Sequence, residues 1–417
     1  MTEYGQDSRF RWLVLLSTCF AILTMQISQL AFAPLLQEIG RDLRVDAATT
    51  TNLMTAFLFS GTIALFLGGI LCDRFGMMPV VFAGILIASV PAAMMPWIGT
   101  SYTFVFWARI FQGISMGLIM CSMALTAAIW FTVRERGLAS GIMGSCYGLG
   151  SAIGVGTTPA LFMVLKSWQL TVAWLTIVGW AGLAIALMVI FNPKSHRPGG
   201  PKMNGESVVD RGVLKRALSS PITWVLLAGT FFMTWCLATF YNLTPTYLAA
   251  DKPVGIGFGP MMSGKLMLVV MIAGIIGPIV GGLLQDKVFR GNSKPVILLG
   301  FALCGVFVGL IQFYVVYSNL WMLTTCLMLA GMSVQFLAPS FVVLISRSFP
   351  ITIVGKMTGL CSGLGSFGAP IGVFIAGLSV AKYGNYNGVL TLISLGGLAG
   401  FVVALFIKRP KEQIRVA

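Results

Sequence analysis

Long apolar runs, separated by short polar stretches, repeat along the whole chain. Twelve runs reach the roughly 20 mainly apolar residues that a helix needs to cross a bilayer. They fall at residues 11–36, 47–71, 79–98, 102–131, 137–163, 168–191, 221–248, 260–284, 295–317, 320–346, 352–379 and 385–407. The longest polar interruption, 192–220, is rich in Pro, Gly and charge, which marks a linker. The pattern therefore predicts an all-α membrane protein with twelve transmembrane helices. They form an N-terminal six-helix bundle (1–191), a cytoplasmic linker (192–220) and a C-terminal six-helix bundle (221–417). The other connections leave no room for a separate soluble domain.

Composition agrees and removes alternatives. Hydrophobic residues make up 57% of the chain and charged ones only 9%, against about 25% charged in an ordinary soluble domain. A water-soluble enzyme, a nucleic-acid binder and a disordered chain are excluded, despite a net charge of +15. That charge has to be read by position. One set of connections and tails carries Arg9, Arg11, Arg74, Arg134, Arg136, Lys194, Lys202, Arg216, Lys287, Arg290, Arg347 and Lys408, among others. The alternate set carries Arg41, Arg44, Lys166, Lys252 and Lys382. The bias predicts a multi-pass protein of the cell membrane with both termini in the cytoplasm. No small-residue cleavage site closes the first apolar run, so it reads as a retained helix.

Metal and cofactor chemistry finds little support. The eight cysteines are scattered without a CxxC pair and read as free, buried thiols. The single histidine, His196, lies in the polar linker. No metal, no cofactor and no clustered catalytic groups are expected, so the chain does not read as an enzyme. The functional partners implied are the lipid bilayer and a small molecule, and a functional monomer is expected.

The two halves repeat. GGILCDRFG at 68–76 matches GGLLQDKVF at 281–289, pairing Gly69 with Gly282, Asp73 with Asp286 and Arg74 with Lys287 at one constant offset. A second set pairs Gly113, Ser115, Gly137, Gly141, Gly150 and Gly154 with Gly331, Ser333, Gly355, Gly359, Gly368 and Gly372. Parallel halves of this kind place a substrate site between them near mid-membrane. The loop GGILCDRFG resembles the cytoplasmic loop motif of the major facilitator superfamily, and ARIFQG at 108–113 resembles its Arg-x-x-Gln-Gly motif. The resemblance covers essentially the whole chain and implies secondary transport by alternating access. It departs at Met77 and Met78, where the loop motif usually has basic residues, and at GLGSAIG in the fifth span, where many drug antiporters have a Gly-Pro pair.

Three groups of residues carry the mechanistic expectations. Gly69, Asp73, Arg74 and Gly76, with Asp286 and Lys287, read as gating elements: a carboxylate at a helix end can pair with a base or cap a helix N-terminus, and Gly76 permits a tight turn. Gly137, Gly141, Gly144 and Gly148, with Gly355 and Gly359, keep one helix face small, for close helix packing or for sliding during rocking. Arg109 is the sharpest single residue. A cation this far inside a span costs at least about 2.5–3.5 kcal/mol, so it must face protein or a water-filled cavity. It reads either as a binder of an anionic group or as a strut against neighbouring carbonyls. Gln112 shares its face. Lys265 is the weaker counterpart in the second half.

No acid lies deep in a span, so the interior is neutral to positive. That favours an anionic substrate, with mono- or dicarboxylates leading, moved as antiport, facilitated transport or proton symport. Efflux of amphipathic or cationic compounds is the alternative, since aromatic rings can hold cations. The neutral lining expected around the substrate comprises Gln29, Asn52, Trp235, Tyr241, Asn242 and Gln335, with the polar cluster around Pro245 in the seventh span as its densest part.

Overall fold

The computed structural model describes residues 8–131, 135–192, 216–349 and 351–407. Regular structure there is helical, and the chain divides into two compact units between Lys202 and Met203. Most of the 192–220 linker lies outside the described residues, as do the side-chain positions of Asp73, Asp286, Gly137 and Gly355.

The first unit contains α1 (Ser8–Leu30), a 3₁₀ turn (Ala33–Leu35), α2 (Leu36–Leu43), α3 (Ala47–Phe75), α4 (Met77–Ala93), α5 (Met95–Ile98), α6 (Tyr102–Trp130), α7 (Arg136–Leu165), α8 (Trp168–Leu175) and α9 (Ile177–Ile190). The second contains α10 (Pro221–Ala249), α11 (Gly259–Leu283), α12 (Ser293–Leu310), α13 (Tyr314–Tyr317), α14 (Leu320–Ser348), α15 (Ile351–Gly365), α16 (Gly368–Tyr383) and α17 (Asn387–Leu405). Eleven helical segments among the described residues are long and apolar enough to cross a membrane. The remaining expected span is the shorter apolar α4, continued by α5.

Local chemistry sets the helix ends. Asp46 caps α3 by accepting from the N–H groups of Ala48 and Thr49, and Asn319 caps α14 through Trp321 and Met322. Pro221 stands at the first turn of α10, where a missing N–H costs nothing. Several spans are broken where continuous helices are expected. The first breaks at Ala31–Leu35, because Pro34 has no N–H to give the carbonyl four residues back. The sixth breaks at Thr176, and the eleventh at Ser366–Phe367, where the Ser366 hydroxyl turns onto the Gly363 carbonyl.

The two copies of the loop motif end their helices differently. Gly76, at φ 85°, stops α3 and starts α4 in one residue. The matching position is Phe289, which has no easy access to that conformation. There the chain leaves α11 through a π turn at Leu284–Val288 and reaches positive φ at Arg290 and Gly291 instead.

Each unit buries its own apolar core. Val14, Ile22, Met25, Ile85, Ile119 and Met143 tie α1, α4, α6 and α7 together. Leu226, Phe301, Leu337, Phe341 and Ile345 do the same for α10, α12 and α14. Exposed Trp97, Trp321, Phe191 and Phe406 stand near span ends, as interfacial anchors do.

The close helix approaches lie elsewhere than on the expected glycine face. A methyl at Gly113 would overlap the Phe57 carbonyl and Ser60 Oγ, and one at Gly117 the Ala64 backbone, so α6 lies directly on α3. Gly277 and Gly281 give α11 the same contact with α14. On α7 the close contacts with α1 are at Gly150 and Gly154. Nothing lies within 4 Å of a methyl placed at Gly141, Gly144 or Gly359, and Gly148 is only half-buried. Gly141, Gly144 and Gly359 therefore do no close packing within their own units. They leave a small-residue face open.

Candidate functional site

The break in α1 builds the site in the first unit. A helix end leaves its last carbonyls without helical partners, and α1 ends at Leu30, ahead of Pro34, so no regular turn of helix supplies them. Arg109, fully buried on α6, supplies them instead. Its Nη1 donates to the Ser28 carbonyl at 2.7 Å, its Nη2 to the Gln29 carbonyl at 3.3 Å and its Nε to the Leu53 carbonyl at 3.2 Å. Nη1 also donates to Gln112 Oε1 at 2.8 Å, and Met54 Sδ lies 3.5 Å from Nη2. The rings of Phe32 and Phe57 cover the guanidinium, with centroids 4.4 and 4.5 Å away.

Three things thus compensate a cation inside a span. Backbone carbonyls accept its protons, the negative end of α1 faces it, and two aromatic faces replace water. No described carboxylate is seen to pair with it, whereas Arg11–Glu135 at 2.8 Å and Arg41–Glu38 at 3.3 Å are ion pairs near span ends. The positive charge of Arg109 therefore stands without an anionic partner among the described residues. Gln112 is fixed by it, and its Nε2 has no protein partner. Ser115 Oγ, one turn further on α6, has none either.

Of the sequence-predicted residues in this unit, the structure brings Arg109, Gln112 and Gln29 together, the last through its carbonyl. Asn52 is half-buried next to Leu53 but is not part of the cluster. The carbonyls of Ser28 and Leu53 are the partners that residue types alone missed. Pro34 marks only the break that ends α1 just beyond Ser28; the Leu53 carbonyl, inside α3, leaves no trace in the sequence.

The second unit has a different polar set. Residues Ala238 to Ala249 of α10 are all buried. Tyr241 donates to the Gly331 carbonyl at 3.3 Å. A methyl at Gly274 would lie 2.8 Å from its hydroxyl and 3.6 Å from Gln335 Nε2, so Tyr241 and Gln335 both approach the Gly274 position of α11. Asn242 donates to the Ala238 carbonyl at 2.8 Å, while its Oδ1 and the hydroxyls of Thr239 and Thr244 have no protein partner. Trp235 points away from this group, donating to the Leu392 carbonyl at 3.3 Å and packing against Gly372 and Gly396. Lys265 is exposed on α11 and joins none of these residues.

The loop residues divide similarly. Gly76 makes the turn between α3 and α4, and Gly69 has open space around it. Arg74 is exposed and stacks on Phe75, 5.3 Å from its ring centroid, and Lys287 is exposed on the π turn. Asp42, near the end of α2, accepts from Trp168 Nε1 at 2.7 Å and Gln169 Nε2 at 2.6 Å, tying α2 to the start of α8.

Two helical membrane units with matching loops, matching glycine crossings and a buried polar cluster in each define a duplicated transporter architecture. The Major Facilitator Superfamily profile matches residues 14–317 and 290–416, and the chain belongs to that superfamily. It is 25% identical to the probable galactarate/D-glucarate transporter GarP of Escherichia coli (strain K12), over 89% of this chain and 88% of that protein. It is 22% identical to the probable galactarate/D-glucarate transporter GudP of Bacillus subtilis (strain 168), over 99% and 95%. It is 23% identical to the probable sulfoacetate transporter SauU of Cupriavidus necator, over 90% and 88%.

Proposed function

We propose that this protein is a secondary transporter of a small organic anion, mono- or dicarboxylate-like, working by alternating access in the cell membrane. Both termini lie in the cytoplasm and the monomer is the functional unit. The observation that carries the reading is the buried guanidinium of Arg109, which stands without a carboxylate partner among the described residues. A fixed cation in a low-dielectric interior attracts an anion far more strongly than it would in water. The names of the relatives support the same class, since galactarate, glucarate and sulfoacetate are all anions.

Arg109 acts chiefly as the source of a positive field, because its donors are engaged by carbonyls. Gln112 Nε2 and Ser115 Oγ supply free hydrogen-bond donors beside it. In the second unit Asn242, Tyr241 and Gln335 supply neutral groups for the rest of the substrate. With no carboxylate deep in a span, coupling proceeds by exchange, by facilitated movement or by proton symport in which the substrate's own charge takes part. Asp73 and Asp286, with their basic neighbours, act as gates at the ends of α3 and α11.

The test is counterflow in proteoliposomes with labelled di- and monocarboxylates, neutral sugars, amino acids and amines. A sugar-acid or short carboxylate should exchange, and amines should not. Exchange of an amine with no carboxylate moved would overturn the reading.

A further inference from the structure

A second feature of the first unit lies on its outer surface. Between α3 and α6 runs a groove of about 350 Å³. Ser60, Ile63 and Leu67 form one wall, and Phe106, Ile110 and Ile114 the other. The groove offers almost no polar surface. Its one hydroxyl, Ser60 Oγ, is turned inward onto the Ile110 and Ala56 carbonyls at 2.9 and 2.8 Å. The rim is exposed: Ile63 is 42% and Leu67 53% accessible, and Phe104, Trp107 and Phe111 of α6 continue the apolar surface beside it.

The groove points at a charge. Arg74 follows Leu67 by seven residues and Ser60 by fourteen, so it falls on the same face of α3, about 10 Å beyond the last lining residue. Its side chain is exposed, and it makes no ion pair with a described carboxylate. Its guanidinium stacks on Phe75, 5.3 Å from the ring centroid. A long apolar trough in the middle of two membrane-spanning helices, ending at an exposed guanidinium at the span end, matches the two ends of one molecule.

We infer that this groove is a binding site for an anionic glycerophospholipid. One acyl chain lies along Ser60, Ile63 and Leu67, and the headgroup phosphate meets Arg74. Arg is the side chain that grips a phosphate with two parallel hydrogen bonds. The acyl chain supplies retention and Arg74 supplies selection among headgroups. A single basic residue near an anionic lipid surface favours it about fivefold.

Native mass spectrometry of the full-length purified chain tests this, after equilibration with phosphatidylglycerol or with phosphatidylcholine of the same acyl composition. The parent should retain at least one phosphatidylglycerol, about fivefold more than phosphatidylcholine. Arg74→Gln should equalise the two without removing retained lipid. Ile63→Trp and Leu67→Trp, at the exposed rim, should fill the groove and reduce retention of both, whereas Met188→Trp, exposed on α9, should behave like the parent. Equal retention of the two lipids by the parent overturns the headgroup assignment. Parent-like retention by both groove-filling variants overturns the site itself. A variant that does not purify as a monodisperse protein is replaced by the other rim variant, which reads the same groove.

Discussion

The crossing of α6 with α3 in the first unit and that of α14 with α11 in the second are one design with two chemistries. The spacing that pairs Gly113 with Gly331 pairs Arg109 with Leu327 and Gln112 with Ala330. All four of these paired side-chain positions are fully buried. In the first unit the interior holds a guanidinium, roofed by two phenylalanines and tied to the frayed end of α1. In the second, buried Leu327 stands at the matching sequence position, α10 is one continuous helix over Pro221–Ala249, and polarity comes from Tyr241, Asn242 and Gln335. The broken helix and the buried cation belong together. The break ahead of Pro34 brings the end of α1 to Arg109, and Arg109 needs acceptors that are not acids. Where the first is missing, so is the second.

The largest effect should come from erasing this difference. Arg109→Leu would make the first unit resemble the second, but it takes the donor from the carbonyls of Ser28 and Gln29 and from Gln112 Oε1, at about 1–3 kcal/mol for each group that stays dry, while the Leu53 carbonyl keeps its bond inside α3. It should purify poorly. Arg109→Gln keeps part of the hydrogen bonding and loses the charge, so exchange of an organic anion should fall about tenfold to a hundredfold. Arg109→Lys keeps the charge and should fold, with a raised KM. Parent-like binding by both the Gln and Lys variants, measured on monodisperse protein, would make the residue a strut and nothing more.

Next come the glycines that hold the two frames. Gly113→Ala drives a methyl into the Phe57 backbone, which has little room to move. It should cost roughly 1–3 kcal/mol or more. Gly331→Ala meets Val270 Cγ1 at 2.6 Å, the end of a side chain that can shift, and should cost less. Gly141→Ala meets nothing within 4 Å and gains helix propensity, so its melting temperature in detergent should not drop. The same variant also reads the open glycine face. If Gly141→Ala melts like the parent yet slows transport, that face is used during the cycle, as expected of a sliding surface. If transport is also unchanged, the face has no role.

Much of this was legible in the sequence. Apolar runs reveal spans because a bilayer leaves no alternative to internally satisfied helices. Arg109 stood out because its cost demands a reason. What was not legible was which glycines pack. Spacing puts Gly137, Gly141 and Gly144 on one face, but it does not say whether a partner lies against that face. Gly113 and Gly117 share the same four-residue step and do have one. Nor do residue types reveal backbone acceptors, so the partners of Arg109 were invisible apart from the break that Pro34 marks. Trp235, Tyr241 and Gln335 looked like one polar lining, yet Trp235 and Tyr241 project to different neighbours from the same helix.

The smallest expected effect concerns how the two matching helices begin. α3 opens on Asp46, whose carboxylate accepts from Thr49 Oγ1 and from the N–H groups of Ala48 and Thr49. α11 opens on Phe258, with no side-chain cap. The Thr49 hydroxyl holds the Asp46 carboxyl below its usual range, against an opposing effect of burial, and the amides of Thr49 and Ala48 add to the lowering. A group whose folded value is depressed stabilises the folded state above its unfolded value and loses that contribution as the pH falls through the folded one. Asp46→Ala should therefore cost about 1 kcal/mol at neutral pH. The gap between parent and variant should stay full down to about pH 4 and shrink below it. Asp46→Asn keeps an acceptor without a titrating charge, so its stability should stay flatter than the parent's across that range. Melting curves in detergent at several pH values decide it. A gap between parent and Asp46→Ala that persists unchanged at low pH would mean that the carboxylate's charge contributes nothing to starting α3.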